Sequence, residues 1–403
     1  PGHVLAYVLK RKKHEPRVPT SRLYMNGGAF LREPEDSPDS LGAMLYNADA
    51  SMDWHAHQET NAISLWACSA RLLANGGWLG PGTRPAKMNN TLTINGKNHD
   101  DRSGAGLDEG LTAEGLDYAR GLSGDALPDK ASFARSLFLL HGQGDAAGYF
   151  VTVDEVRAGD SDSAHQYLHP ATGTKPVQVT PRSEYRARID RFNDVSGVRL
   201  SVFYGKQPDK IKRKLVPTGS DRADEKPHWR LEAVYPAGDD GRANAMTVLF
   251  PHTKEQAKAA FRRIGGERPG VSVTHGETCT DYWYRSPGTS AREVRTGARF
   301  RGRVAMFRVR NRTTALYFIG RGTAFRRGDV GFEASGRVSL YMNGSRGRIT
   351  AEEKTLITFY RPEVTGVKHG GTALEPREKG QGWIRVSVPP GRNMPLRLVG
   401  AGR

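Results

Sequence analysis

The chain has 403 residues, 37% of them hydrophobic and 26% charged, enough to bury more than one core, so two domains, one of them large, are expected. No apolar run approaches the roughly 20 residues that a membrane-spanning helix needs, which excludes a helical membrane span. Lys and Arg number 60 against 43 Asp and Glu, and the resulting formal charge of +17 predicts attraction to a polyanion: nucleic acid, an anionic membrane surface or an acidic polysaccharide.

In chain order, Pro1 opens the sequence with neither an initiator Met nor a secretory pattern, as expected of a processed product or a piece of a longer chain. The Lys10-Arg11-Lys12-Lys13 run with Pro16 and Pro19 reads as a basic linker over residues 1–19, leading to a first strand near Leu23. Short apolar runs then predict strands at 62–68, 91–94, 136–140, 149–156, 198–203, 245–250, 304–309 and 315–319. Turn residues separate them at Asn75-Gly76-Gly77, Asn95-Gly96, Asp239-Asp240-Gly241 and Asn343-Gly344. Residues 254–264 read as one of the few helical stretches. A Gly- and Arg-rich stretch at 321–328 reads as a break before further strands at 330–332, 338–341, 355–360 and 383–388. The expected fold is all-β: a large two-sheet β-sandwich over 20–320, followed by a smaller C-terminal β-sandwich over 321–403. Cys68 and Cys279 are too few for a disulfide framework and too far apart for a metal motif, and are expected as two buried thiols.

The segment Asp53-Trp54-His55-Ala56-His57-Gln58-Glu59-Thr60-Asn61 carries the densest chemistry. If it is extended, alternation puts Asp53, His55, His57, Glu59 and Asn61 on one face, a set suited to proton transfer or to a metal ion. An apolar strand follows at 63–68 and a second at 71–74, then the Asn75-Gly76-Gly77-Trp78 turn, and then Asn89-Asn90-Thr91-Leu92-Thr93-Ile94-Asn95-Gly96.

This succession resembles the central β-sandwich of heparinase II/III-like polysaccharide lyases, in which a His-x-His strand leads to a hairpin with an Asp-Ser-Gly or Asp-Tyr-Gly turn and then to a His-Asn-Thr-like strand. Residues 28–32 and 41–47 upstream, and 134–138, 149–156, 165–169 and 247–252 downstream, resemble the family's flanking strands in the same order. The resemblance spans most of residues 20–320 and implies a supersandwich fold. It assigns His55 to the catalytic cleft and His57 to a zinc site. The metal-binding members carry Asp where this chain has Asn75 and His where it has Asn89, and amide oxygens are poor zinc ligands, so the implied zinc site is weakened. The family also carries a helical toroid ahead of the sandwich, which supplies a catalytic tyrosine and a neutraliser of the uronate carboxylate. That toroid is the implied partner, as a domain or a separate chain, and the implied location is secreted or periplasmic.

Alternation in Phe307-Arg308-Val309-Arg310 puts Arg308 and Arg310 on one strand face, where guanidinium forks suit carboxylates and sulfates. With Trp78 and Asn90 they are the candidate substrate-binding residues, and a solvated outer face is the competing reading. Trp283, within Tyr282-Trp283-Tyr284, is expected in the core. The absence of a recognition-helix, zinc-finger or RNP-like motif argues against nucleic acid. Two functions remain open: β-elimination on an acidic polysaccharide such as a glycosaminoglycan or alginate, or a non-catalytic carbohydrate-binding and scaffolding module.

Overall fold

The computed structural model describes residues 20–400 except 35–36, 38, 48–56, 74–83, 101–103, 173–176, 180–183, 192–193, 217–226, 254–258, 265–268 and 287–291. His55, Asn75 and Trp78 lie outside the described residues. Among those described the fold is all-β, with antiparallel strands in sheets of five, eight, four and fifteen strands and no α-helix. The apolar runs from 62–68 to 383–388 each overlap a strand, the run expected at 71–74 is met only by Ala70–Arg71, and the first strand, Arg22–Tyr24, falls where Leu23 placed it.

The five-stranded sheet is a meander of Arg22–Tyr24, Gly28–Arg32, Gly42–Tyr46, Ala62–Ala67 and Ala70–Arg71. The four-stranded sheet orders Lys210–Val216, His228–Pro236, Ser163–Leu168 and Leu92–Ile94. Both contribute to one core with the eight-stranded sheet, through Leu31, Leu65, Leu92 and Leu231 against Leu137, Leu139 and Phe150. The other face of the eight-stranded sheet packs Phe138, Leu140 and Phe250 against Trp283, Met306 and Phe318 of the fifteen-stranded sheet. This middle layer is therefore buried on both sides. Its strand Ser132–Leu140 is continuously buried after its first residue, and the run Ser136-Leu137-Phe138-Leu139-Leu140 needs no polar alternation because it has no wet face. A further core lies within the C-terminal strands around Phe307, Phe325, Phe332, Phe359 and Ile384. As expected, Trp283 is core, its indole Nε1–H donating to Tyr149 Oη at 2.8 Å, and Cys68 and Cys279 are buried free thiols.

Two expectations are corrected. In the described part of 254–264, Ala260–Arg263 is a strand paired with Gly270–His275, not a helix; Phe261 stacks on Phe203 at 5.4 Å, a long-range contact that overrides local propensity. The break expected at 321–328 is not a break between strands, because Thr313–Arg327 runs through it as one strand. Gly322 marks a bulge there: an added Cβ would lie 2.5 Å from Arg301 O and would collide with Ile319 Cγ2, and the pairing register shifts on both sides of it.

Candidate functional site

The alternation proposed over 53–61 does not extend to its described part. Residues 57–61 form a loop and turn, closed by the Ala62 N–H to Glu59 O hydrogen bond at 2.8 Å, with Asn61 in the left-handed region at φ 57°. Asn tolerates this conformation better than most residues, and it swings the chain into the Ala62–Ala67 strand. His57, Glu59 and Asn61 therefore do not share a strand face, although His57 and Glu59 remain partly exposed.

A buried ion pair anchors this loop. Arg135 Nε and Nη2 reach Asp154 Oδ1 and Oδ2 at 2.7 and 2.8 Å, with both side chains fully buried. The guanidinium's remaining reach ties the loop to a second segment: Nη1 donates to Asn61 O at 2.9 Å and to Asn90 O at 2.8 Å. Gln166 Nε2 also donates to Asp154 Oδ2, and Thr247 Oγ1 donates to Gln166 Oε1, so the pair is hydrogen-bonded on several sides. Asn90, expected to touch substrate, is buried, and its side-chain Oδ1 accepts the His169 N–H at 2.8 Å. It shapes the site from within.

Beside Asn90 lies the outward face of the four-stranded sheet. In the strand His228–Pro236, His228, Arg230 and Glu232 alternate with the core residues Leu231, Ala233 and Tyr235. His169 Nε2–H donates to Lys87 O at 3.1 Å, which leaves Nδ1 to accept from His228 Nε2–H at 3.0 Å. Burial, with His228 and Arg230 beside it, holds the His169 pKa well below the ordinary range, so the ring is neutral. Arg230 lies over the Tyr167 ring at 5.4 Å, and Glu232 accepts from His165 Nδ1 and Lys212 Nζ at 2.9 and 2.7 Å. The sequence reading missed His228 and Arg230; the polar-apolar alternation of His228-Trp229-Arg230-Leu231-Glu232-Ala233 was the available signal.

Burial pushes the Glu59 carboxyl up to about 7 and, together with Glu59, raises the Tyr46 phenol. A carboxyl poised near neutral pH can give or take a proton. Because the folded-state value exceeds that of the unfolded chain, the associated stability is complete below pH 4.5 and is lost as pH rises through about 7. Glu59→Gln, which cannot ionise, should therefore be more stable than the wild type at pH 8 by about 1 kcal/mol, a value discounted for partial exposure, and equal to it at pH 4. Paired urea titrations at the two pH values measure this.

The remaining candidates separate. Arg308 is buried, and its Nε and Nη2 hold Asp281 Oδ1 and Oδ2 at 2.7 and 2.9 Å. Against the cost of burial, that guanidinium keeps the Asp281 carboxyl well below the usual range. Arg308 is thus committed to an internal pair rather than offered to substrate. Arg310 points the same way, donating to Gln143 O at 2.9 Å and pairing with Asp145 at 3.0 Å, but it is about one third exposed. For zinc, Asn89 is buried with its Nδ2 donating to Pro85 O at 3.2 Å. His99 Nε2–H donates to Leu92 O at 2.6 Å, and burial lowers that ring to about 4. Among the described residues no three His, Cys, Asp or Glu side chains come together.

Searches of solved structures return a heparan sulfate lyase from Pedobacter heparinus, with a TM-score of 0.54 and 13% identity over 67% of this chain and 43% of that one. The fold is heparinase-like. A heparinase III gene product aligns with a TM-score of 0.53 and 14% identity over 76% of this chain and 45% of that one. A further heparinase III gives 0.51 and 17%, over 66% and 43%. The chain thus spans less than half the length of these heparinase-like relatives. No family model and no curated protein matches it. No helix among the described residues is long and apolar enough to cross a membrane.

Proposed function

We propose that this chain is the β-rich part of a secreted or periplasmic polysaccharide lyase that cleaves a uronic-acid-containing polysaccharide by β-elimination. The observation that carries the reading is the heparinase-like fold, shared with a heparan sulfate lyase. The +17 formal charge suits a polyanionic substrate. In the reaction a base removes the C5 proton, the electron pair forms the C4–C5 double bond, and the O4 substituent leaves with a proton from an acid. The adjacent carboxylate must be neutralised, because the C5 proton is only weakly acidic. His55 is assigned the proton transfer, and a helical toroid the leaving-group acid and the carboxylate neutraliser. Arg230, partly exposed on the outward face of the four-stranded sheet beside Asn90 and the His169–His228 pair, is the cation assigned to substrate there, while Arg310 lies on a different sheet and is a separate candidate.

A second reading, a non-catalytic carbohydrate-binding module, is favoured by Asn89, an amide at a position where the resemblance expects a metal ligand. Formation of unsaturated uronate products by the chain joined to a helical toroid, followed by absorbance, separates the two. Either way, binding to a uronate polymer should weaken steeply with salt, because exposed charges are screened beyond roughly 8 Å at physiological ionic strength. About tenfold weaker binding between low and physiological salt is expected by calorimetry. Equal affinity for a neutral glucan would overturn the acidic-substrate reading.

A further inference from the structure

Away from the outward face of the four-stranded sheet, a cavity of about 410 Å³ opens where the eight-stranded sheet meets the C-terminal strands, lined by Arg120, Arg157, Arg242, Arg285 and Arg303 around Glu155. Its size falls within the roughly 300–1,000 Å³ of small-ligand sites. Glu155 accepts from Arg120 Nη2 at 2.8 Å and from Arg285 Nη2 at 3.3 Å, and lies 3.6 Å from Arg303 Nε. Arg120 also pairs with Asp108. One lining carboxylate thus serves three guanidinium groups. Arg285 Nε and Arg303 Nη1 are buried without a hydrogen-bond partner, although Arg285 is only 7% exposed. A buried, unsatisfied donor costs about 1–3 kcal/mol, more when charged.

The rim adds to the imbalance. Arg157 and Arg242 face each other across an antiparallel bridge, an arrangement of like charges that disfavours the fold. The Arg242 guanidinium lies no closer than a loose 3.7 Å, through Nε, to Asp240 Oδ2, whose other oxygen accepts the Arg242 backbone N–H at 3.1 Å. Burial, together with Arg242 and Arg303 and against the pull of Glu155, lowers the Arg285 guanidinium, as expected where cations outnumber anions. An oxyanion with several acceptor oxygens would satisfy both orphaned donors and relieve the Arg157–Arg242 repulsion.

We propose that this arginine cavity is a second anion site that holds a sulfate or carboxylate group of an acidic saccharide. It rests on the acidic-polysaccharide reading only for the source of the anion. Sodium sulfate, titrated at constant ionic strength, should shift the Arg285 Nε–H resonance of the whole chain. Calorimetry with a sulfated disaccharide and a non-sulfated uronate disaccharide then tells sulfate from carboxylate, with a neutral disaccharide as the blank. The double variant Arg242→Gln/Arg303→Gln, which leaves Arg120, Arg285 and Glu155 in place, should bind the preferred anionic disaccharide roughly tenfold more weakly or worse. An unmoved Arg285 signal in the wild type would overturn the site, as would unchanged disaccharide affinity in the variant. Sulfate seated at Arg285 without any polymer cleavage, even with a toroid supplied, would instead sink the lyase reading and leave the cavity standing.

Discussion

Arg135→Met is expected to destabilise the protein by about 3–5 kcal/mol, because it strands the fully buried Asp154 carboxylate without its cation. Urea unfolding followed by far-UV circular dichroism measures the loss. Arg135 also donates to Asn61 O and Asn90 O, so the variant removes one hydrogen bond from the loop carrying His57 and Glu59 and one from the segment it is tied to. The double variant Arg135→Met/Asp154→Leu tells the two contributions apart. Replacing a whole buried pair by apolar residues is often near neutral, so the double variant should recover most of the stability. The loop would still lack its anchor, so polymer binding should remain impaired after stability returns. Recovery of both together would show that Arg135 serves the fold alone.

That pair also illustrates what sequence can and cannot disclose. The strands Ser132–Leu140 and Tyr149–Arg157 are legible as apolar runs bounded by turn residues, and their order supported the heparinase resemblance. That Arg135 meets Asp154 is a matter of register, fixed only when the two strands pair. Arg308 failed for a related reason. Alternation put it on a face with Arg310, but it could not reveal that Asp281, on a neighbouring strand, turns that part of the face inward. The His169–His228 contact joins residues 59 positions apart. Gly322 misled in the opposite direction: glycine reads locally as a break, whereas here it admits a close backbone approach inside a long strand. Period and composition were enough for the all-β class, while the partners of buried charges depended on long-range pairing.

The catalytic expectation places the chemistry on two bodies. The isolated chain should form little unsaturated product, and a helical toroid, supplied in the same polypeptide or as a partner, should restore turnover. Elimination needs a base at C5, an acid at O4 and a neutraliser for the carboxylate held together, and His55 can serve only one of these roles. In the restored enzyme His55→Ala should lower turnover by roughly 10²-fold or more, the usual scale for losing a positioned acid or base. His169→Ala should act differently. Its ring is buried and bound to Lys87 O and His228, so the variant should lose stability while turnover per folded molecule changes much less. Initial rates on a uronate polymer, normalised to the folded fraction, distinguish the two histidines. Full activity from the isolated chain would overturn the division of labour and move leaving-group protonation to a tyrosine of this chain. Tyr46, whose phenol burial and then Glu59 raise, would be the first to test.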